Sequence, residues 1–184
     1  MKMELVASGD AVEDITFPAG KYVVIDPCCV FGENDDNWKI FCNLINNGDD
    51  NNVLKIDNAL VPVFRTAYGD GGYPVFDVTT GYMKELGGIG VDAGLTALVP
   101  YKFFVNKKFN DKPLENLGLV VNINKSKIDL EDRWGNWKID NIFVVTSGIC
   151  EDCGLPCDGF FVCDDCNRIR EEEEEEREED ECEN

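Results

Sequence analysis

Hydrophobic residues in the first 147 positions occur mostly in short runs that are rich in β-branched and aromatic side chains. Glycine, proline, asparagine and aspartate separate these runs, which is the pattern of short strands joined by turns. The predicted strands are residues 21–25, 61–66, 73–78, 96–99, 117–123 and 137–145. This pattern predicts a mainly β body, folded as a sandwich or a partly open barrel.

One segment of the body has helical periodicity. Its apolar residues recur at the three- and four-residue spacing that places them on one face of a helix: Trp38, Phe41, Cys42 and Ile45. The Asp-Asp-Asn sequence at 35–37 suits the start of this helix, and Asn-Asn-Gly at 46–48 suits its end. We therefore expect one short helix, followed by a polar loop at residues 46–52.

Four cysteines near the C-terminus have the spacing of a structural zinc site. They form two C-x2-C pairs separated by nine residues: Cys150, Cys153, Cys163 and Cys166. Zinc takes four ligands in a tetrahedron, and thiolate sulfur is a favoured donor. Gly154 and Asn167 follow the two pairs, and both residue types tolerate the left-handed backbone of such turns. The pattern predicts a zinc-ribbon-like module at residues 148–170, in which Cys157 is an alternative ligand or a spare thiol.

The cysteine count and the absence of export signals support a metal site over the alternative of a disulfide framework. Nine cysteines cannot all pair within one chain. The N-terminal sequence has no apolar stretch of signal-peptide length, and no segment approaches the ~18 apolar residues of a membrane span. Paired C-x2-C motifs in an intracellular protein indicate metal binding. We expect a cytoplasmic protein with zinc as its cofactor and no membrane segment.

The net charge of −20 is shared equally between the body and a C-terminal tail. Residues 171–184 contain eleven acids and one arginine and so carry −10, and residues 1–170 carry the other −10. Such an acidic surface argues against nucleic-acid binding, which requires a basic patch. The tail has too little apolar surface to fold and is predicted to be a disordered appendage, with Cys182 too far inside it to reach the zinc.

The chain contains no histidine, which removes the commonest general base and the usual activator of a cysteine or serine nucleophile. Catalysis would then depend on carboxylates, lysine, tyrosine or cysteine. Four acids at turns or strand ends could act in pairs, Asp26, Asp70, Asp77 and Asp92, and of these Asp26, Asp70 and Asp92 are the candidates for a carboxylate or ligand site. The alternative is that these residues are ordinary turn aspartates, whose side chains accept hydrogen bonds from nearby backbone amides. Cys28, Cys29 and Cys42 are interpreted as buried small apolar residues.

Three stretches of the body combine glycine, aspartate and aromatic residues. They are Gly20-Lys21-Tyr22-Val23-Val24-Ile25-Asp26-Pro27-Cys28, then Tyr68-Gly69-Asp70-Gly71 with Tyr73, and Val91-Asp92-Ala93-Gly94 with Leu98-Val99-Pro100. Together with Trp38 they resemble a family of small β-rich proteins encoded by tailed phages and large DNA viruses. The family form G-x-Y-V-x-G-D-P-C-Y-V differs here at Ile25 and Cys29. The resemblance, over roughly residues 17–146, implies a β fold and a viral origin and assigns no catalytic residue.

The chain is therefore expected to comprise a β-rich body at residues 1–147, a four-cysteine zinc module at 148–170 and an acidic tail at 171–184. The favoured function is that of a non-enzymatic zinc-binding protein that acts by protein–protein interaction. One alternative is a protein that binds a small molecule or nucleotide through the glycine-rich loops. The other is a hydrolase whose carboxylates converge in a cleft.

Overall fold

The computed structural model describes residues 1–32, 35–46, 50–79, 82–105, 114, 117–130, 136–149, 156–157 and 168–169. The chain divides into two compact units, Met1–Thr146 and Ser147–Asn184.

The first unit is built mainly from β-strands, so the predicted mainly β body is confirmed. Its strands are β1 (Met3–Ser8), β2 (Thr16–Phe17), β3 (Gly20–Ile25), β4 (Asn51–Ile56), β5 (Ala59–Arg65), β6 (Gly71–Asp77), β7 (Lys84–Val91), β8 (Leu95–Pro100), β9 (Gly118–Ile123), β10 (Ser126–Leu130), β11 (Trp137–Ile139) and β12 (Ile142–Val144). Its helices are α1 (Cys28–Phe31), α2 (Asp35–Asn46) and two 3₁₀ helices at Gly9–Asp14 and Tyr101–Phe103.

The first sheet has the strand order β1-β4-β5-β8-β3-β9, and all its neighbouring strands are antiparallel. Both of its faces are buried. On β3, Tyr22 and Val24 enter the core between the two sheets, whereas Val23 and Ile25 enter a second core on the opposite face. Because residues of both parities are buried, the central strands are continuous apolar runs and do not alternate with polar residues.

The two α-helices cover the outer face of the first sheet. Phe31 of α1 stacks on Phe41 of α2 with ring centroids 5.2 Å apart, and Phe41 also stacks on Trp38 at 5.2 Å. Phe41 and Ile45 are buried in the core on this face of the sheet, as the helical spacing predicts. The helix over residues 35–46 is therefore confirmed, and α1 and the two 3₁₀ helices are additional to the predicted one.

The second sheet has the order β2-β10-β11-β12-β6-β7 and is also antiparallel. It buries one face, which supplies the other half of the inter-sheet core. On β11, Trp137 and Ile139 are fully buried while Lys138 between them is not. This alternation is typical of a sheet with one wet face.

Trp137 joins the two sheets at the centre of the first unit. Its ring stacks on Phe64 of β5 with centroids 4.8 Å apart. Its indole Nε1–H donates to Thr96 Oγ1 on β8 at 2.9 Å, and both residues are fully buried. The ring is therefore part of the core and is not a surface for stacking a ligand; Trp134 lies outside the described residues.

Strands β1, β2, β4, β7 and β10 were not among the predicted strands, and two predicted segments differ in kind from the structure. Residues 137–145 form a hairpin of two short strands, because Asp140 adopts a positive φ of 55° and turns the chain. The expected loop at 46–52 ends early, since β4 begins at residue 51 and Asn52 is buried. At residues 137–145 an apolar run concealed a turn residue, and at residues 51–52 backbone pairing outweighed the polar sequence.

In the second unit, the described residues include β13 (Gly148–Ile149) and β14 (Pro156–Cys157). These two strands form an antiparallel pair, in which residue 148 is paired with 157 and residue 149 with 156. The predicted ligands Cys150, Cys153, Cys163 and Cys166 lie outside the described residues, as do Cys182 and the tail.

We expect the substitution Thr96→Val to destabilise the protein by about 1–3 kcal/mol, because it leaves the buried Trp137 N–H without its acceptor. Urea unfolding would measure this loss. In a Trp137→Phe background the donor is already absent, so the same substitution should cost clearly less. An equal cost in both backgrounds would show that the hydrogen bond is not its source.

Candidate functional site

Among the candidate aspartates from the sequence, Asp26 is buried and accepts three backbone hydrogen bonds. It follows the last residue of β3 and precedes α1, and its side chain is only 1% exposed. Oδ1 accepts a hydrogen bond from the backbone N–H of Cys28 at 2.7 Å. Oδ2 accepts two more, from the N–H groups of Asp92 at 2.6 Å and Ala93 at 2.9 Å. Asp26 therefore ties the β3–α1 corner to the turn between β7 and β8.

The loop that carries Asp70 packs against this same turn. Gly94 has a φ of 63° and lies so close to Gly69 that a Cβ on Gly94 would be 3.3 Å from the Gly69 Cα. The Gly69 carbonyl accepts from Thr66 Oγ1 at 2.6 Å and from the Tyr73 hydroxyl at 2.8 Å. Glycine is required at position 94 by both its backbone angle and this close approach.

The three predicted site residues thus lie in neighbouring segments, but their carboxylates differ in environment. Asp26 is buried, whereas the side chains of Asp70 and Asp92 are exposed. Asp92 meets Asp26 through its backbone amide. Within the described part of the chain, no group of three or more cysteines, aspartates or glutamates is arranged to hold a metal ion.

Asp77, a further turn aspartate, is also engaged locally. Its Oδ1 accepts from the side chain of Thr79 and, at 2.8 Å, from the Thr79 backbone N–H. Hydrogen bonds from the side chains of Thr79 and then Asn141 hold the pKa of Asp77 below its usual value. This carboxylate stays ionised at neutral pH, and its hydrogen bonds to Thr79 stabilise its own turn.

Two thiols of the first unit, those of Cys28 and Cys42, are poor nucleophiles. Cys28, Cys29 and Cys42 are unoxidised and half-buried. The hydrogen bond with the Cys29 side chain, burial and the adjacent Asp26 carboxylate all raise the pKa of Cys28 well above its usual range. Burial raises the pKa of Cys42 as well. A thiol with a raised pKa carries little thiolate at neutral pH and therefore reacts slowly.

Two open depressions on the described surface are lined by polar and charged side chains. The larger, of about 380 Å³, lies over β10 and β11 and is lined by Ser126, Lys127, Ile128, Asp129, Lys138 and Asp140. The smaller, of about 160 Å³, is lined by Lys2, Glu4, Lys55, Asp57 and Asn58. Neither includes an aromatic residue or a predicted site aspartate.

Sequence reasoning did not find the feature that links these segments, which is the capture of two distant amides by Asp26. The amides it binds lie 66 and 67 residues further along the chain, so no local motif reveals them. An aspartate before proline is the one available signal, and it predicts only the local bond to residue 28.

No protein-family model matches this chain, and no curated protein or solved structure shows significant similarity to it. Among the described residues, no helix has the length and apolar character required to cross a membrane.

We expect Asp26→Asn to destabilise the protein by about 2–3 kcal/mol, because the amide has one acceptor oxygen and its NH₂ group would face a backbone donor. Chemical denaturation of both variants would compare this loss with that of Asp70→Asn. The control removes an exposed charge and should change stability by no more than about 0.5 kcal/mol. Equal effects of the two substitutions would contradict the role given to Asp26.

Proposed function

We propose that this protein is a non-enzymatic zinc-binding protein of viral origin, which acts in the host cytoplasm by binding a partner protein. The observation that carries the proposal is the state of Asp26, whose carboxylate is buried and accepts three backbone N–H groups. A carboxylate engaged in this way holds loops together, and both of its oxygens are already occupied by backbone donors. This favours a binding role over carboxylate-based hydrolysis.

The thiols and the surface depressions support the same choice. A raised pKa disfavours Cys28 as a nucleophile, and the chain has no histidine to activate it. A small-molecule site typically combines apolar and aromatic lining with a few convergent polar groups. The depression over β10 and β11 and the one beside Lys2 and Lys55 have mostly charged and polar linings, so neither of these two has the lining of a small-molecule site.

Zinc binding is supported by the donor chemistry of the second unit. Four cysteines in two C-x2-C pairs suit a tetrahedral thiolate site. Strand β13, which pairs with β14, ends at residue 149, directly before the first of these cysteines. Cys150, Cys153, Cys163 and Cys166 would hold the metal, whose contribution is to stabilise a module too small to fold on its own core. We accordingly propose a zinc-ribbon-like fold for residues 148–170.

Viral origin is supported by the resemblance of the body to the phage and large-virus family. The stretch that ends in Asp26-Pro27-Cys28 and the one around Asp92 both contribute to that resemblance, and Asp26 joins them in space. The shared motif therefore corresponds to a structural connection in the β body. We therefore interpret these shared residues as determinants of the fold and assign none of them a catalytic role.

Purified protein in reducing buffer without chelator should contain one zinc per chain by elemental analysis. Cys163→Ser should lower the zinc content and loosen residues 148–170, because a structural zinc supplies much of the folding free energy of such a module. Cys42→Ser, at a half-buried thiol of α2, is the matched control and should retain full zinc. A content well below one zinc per chain in the unmodified protein would contradict the assignment.

Binding to the partner should weaken with salt, because exposed charges act over only ~8 Å at physiological ionic strength. Deleting residues 171–184 removes half of the net charge, so the shortened protein should associate more slowly and with a weaker salt dependence. Pull-downs from host lysate at two salt concentrations, with and without the tail, test both effects.

If binding depends on an apolar patch instead, salt and tail deletion should have little effect on the amount of partner recovered. Recovery of no protein partner in any condition, together with a small molecule that co-purifies, would contradict the proposed function and favour the ligand-binding alternative.

A further inference from the structure

Strand β7 is the last strand of the second sheet and leaves one edge unpaired among the described residues, although the strand also packs against β9 and β3 of the first sheet. It pairs with β6 on one side, and within the described residues its backbone makes no hydrogen bond to any other strand or loop. An open edge of this kind presents N–H and C=O groups that can pair with an added strand. The strand carries no proline, and its charged side chains, Lys84 and Glu85, lie at its start.

A bulge restricts the usable part of this edge to residues 88–91. The register with β6 shifts opposite Val75 and Phe76, which leaves Leu86 as the extra residue. The position of Gly87 is also close to β9, because a Cβ there would be 3.4 Å from Leu119 Cδ1. Bulges commonly end strand pairing at an edge, so an added strand would pair only beyond this point.

The outer face of β7 beyond the bulge has no side chains. Ile89 and Val91 enter the inter-sheet core, so Gly88 and Gly90 lie on the opposite face, where both are exposed. A Cβ at position 90 would meet no atom within 4 Å, and neither glycine has a positive φ. Neither the backbone angle nor the described neighbours therefore require glycine here, although glycine weakens a strand interior.

A glycine without an internal reason suggests close approach from outside. In antiparallel sheets, an aromatic side chain on the adjacent strand can lie across a glycine and cover its exposed backbone. The cross-strand neighbour of Gly90 on β6 is Gly72, which is also exposed and has open space at its Cβ position. One aromatic ring from an added strand could therefore extend over both residues.

Charge selects the occupant of this edge. Asp92 follows two positions after Gly90, so it continues the same outward row beyond the end of β7, and its side chain is exposed. Asp70 precedes β6 at the same end and is also exposed. A second copy of this chain would bring another net charge of −20 to an acidic edge, whereas a basic segment would be attracted to it.

We propose that residues 88–91 of β7 are the docking edge for an extended basic segment of a partner protein, which adds to the second sheet as a further strand. An aromatic side chain of this segment covers Gly90 and Gly72. A lysine or arginine two positions along the segment, and therefore on the same face, pairs with Asp92. This inference rests on the proposed function and specifies the chemistry of the partner.

A synthetic peptide tests the proposal on the full-length zinc-loaded protein. The probe is a fluorescein-labelled heptapeptide with the sequence Thr-Lys-Thr-Trp-Thr-Lys-Thr, so that its lysines and its tryptophan lie on one face of the added strand. We expect saturable binding by fluorescence anisotropy, and amide chemical-shift changes concentrated at residues 88–92. Replacing both lysines of the peptide with glutamate, or its central threonines with proline, should abolish binding, because these changes reverse the charge or remove backbone donors.

Matched substitutions in the protein separate the edge from general charge. Gly90→Thr places a side chain where the ring would lie and should weaken binding by at least about tenfold, whereas Gly20→Thr on exposed β3 backbone should not change it. Asp92→Asn should weaken binding several-fold and reduce its salt dependence, while Asp129→Asn on β10 should do neither.

Several results would overturn the proposal. One is a Gly90→Thr variant that binds the peptide as tightly as the unmodified protein does. Another is a set of peptide-induced amide chemical-shift changes located away from β7. A lower melting temperature of Gly90→Thr with shifts in residues 147–184 would identify a segment of this chain as the occupant. A concentration-dependent dimer abolished by Gly90→Thr would identify a second copy.

The lysate experiment distinguishes this proposal from the general one. If the unmodified protein recovers a partner that Gly90→Thr recovers equally well, the docking edge is wrong and the proposed function stands. If no partner is recovered while the peptide binds specifically at β7, the edge is retained and the proposed function fails.

Discussion

The first sheet must be covered on both faces, and most of the first unit follows from that requirement. Its central strands bury side chains of both parities, such as Val23 and Val24, which are both fully buried. One face is covered by the second sheet and the other by α1 and α2. Each large apolar side chain that is buried stabilises the fold by roughly 1.5–3 kcal/mol. Covering both faces of the first sheet is therefore favoured over covering one.

A layered fold of this kind needs connections that keep the corners of the layers in register, and Asp26 supplies one of them. It lies where β3 ends and α1 begins, and it binds the turn between β7 of the second sheet and β8 of the first. A buried carboxylate is costly unless hydrogen bonds replace its lost hydration. Three backbone donors do so here. One of the candidate site residues from the sequence is therefore engaged in maintaining the architecture.

The sequence predicted those features that depend on local periodicity. The spacing of Trp38, Phe41 and Ile45 located α2, and the β-branched runs located the central strands. The helical layer on the outer face of the first sheet was not predicted, although the apolar run at residues 22–25 is what two-sided burial produces. The Asp26 connection could not be predicted, because it joins residues 66 positions apart and depends on how the sheets pack. Strand β7 was missed because its glycines were interpreted as turn residues.

The acidic charge and the open edge of β7 are physically related. An unprotected edge strand would ordinarily be a site of self-association, and proteins commonly block such edges with inward charges, proline or bulges. Here the bulge at Leu86 protects the first half of the strand, and residues 88–91 have no blocking side chain. A net charge of −20 makes two copies of the chain repel each other before their edges can pair. The same charge attracts a basic segment. On a neutral protein this edge would pair with many extended segments, whereas here the charge favours basic ones.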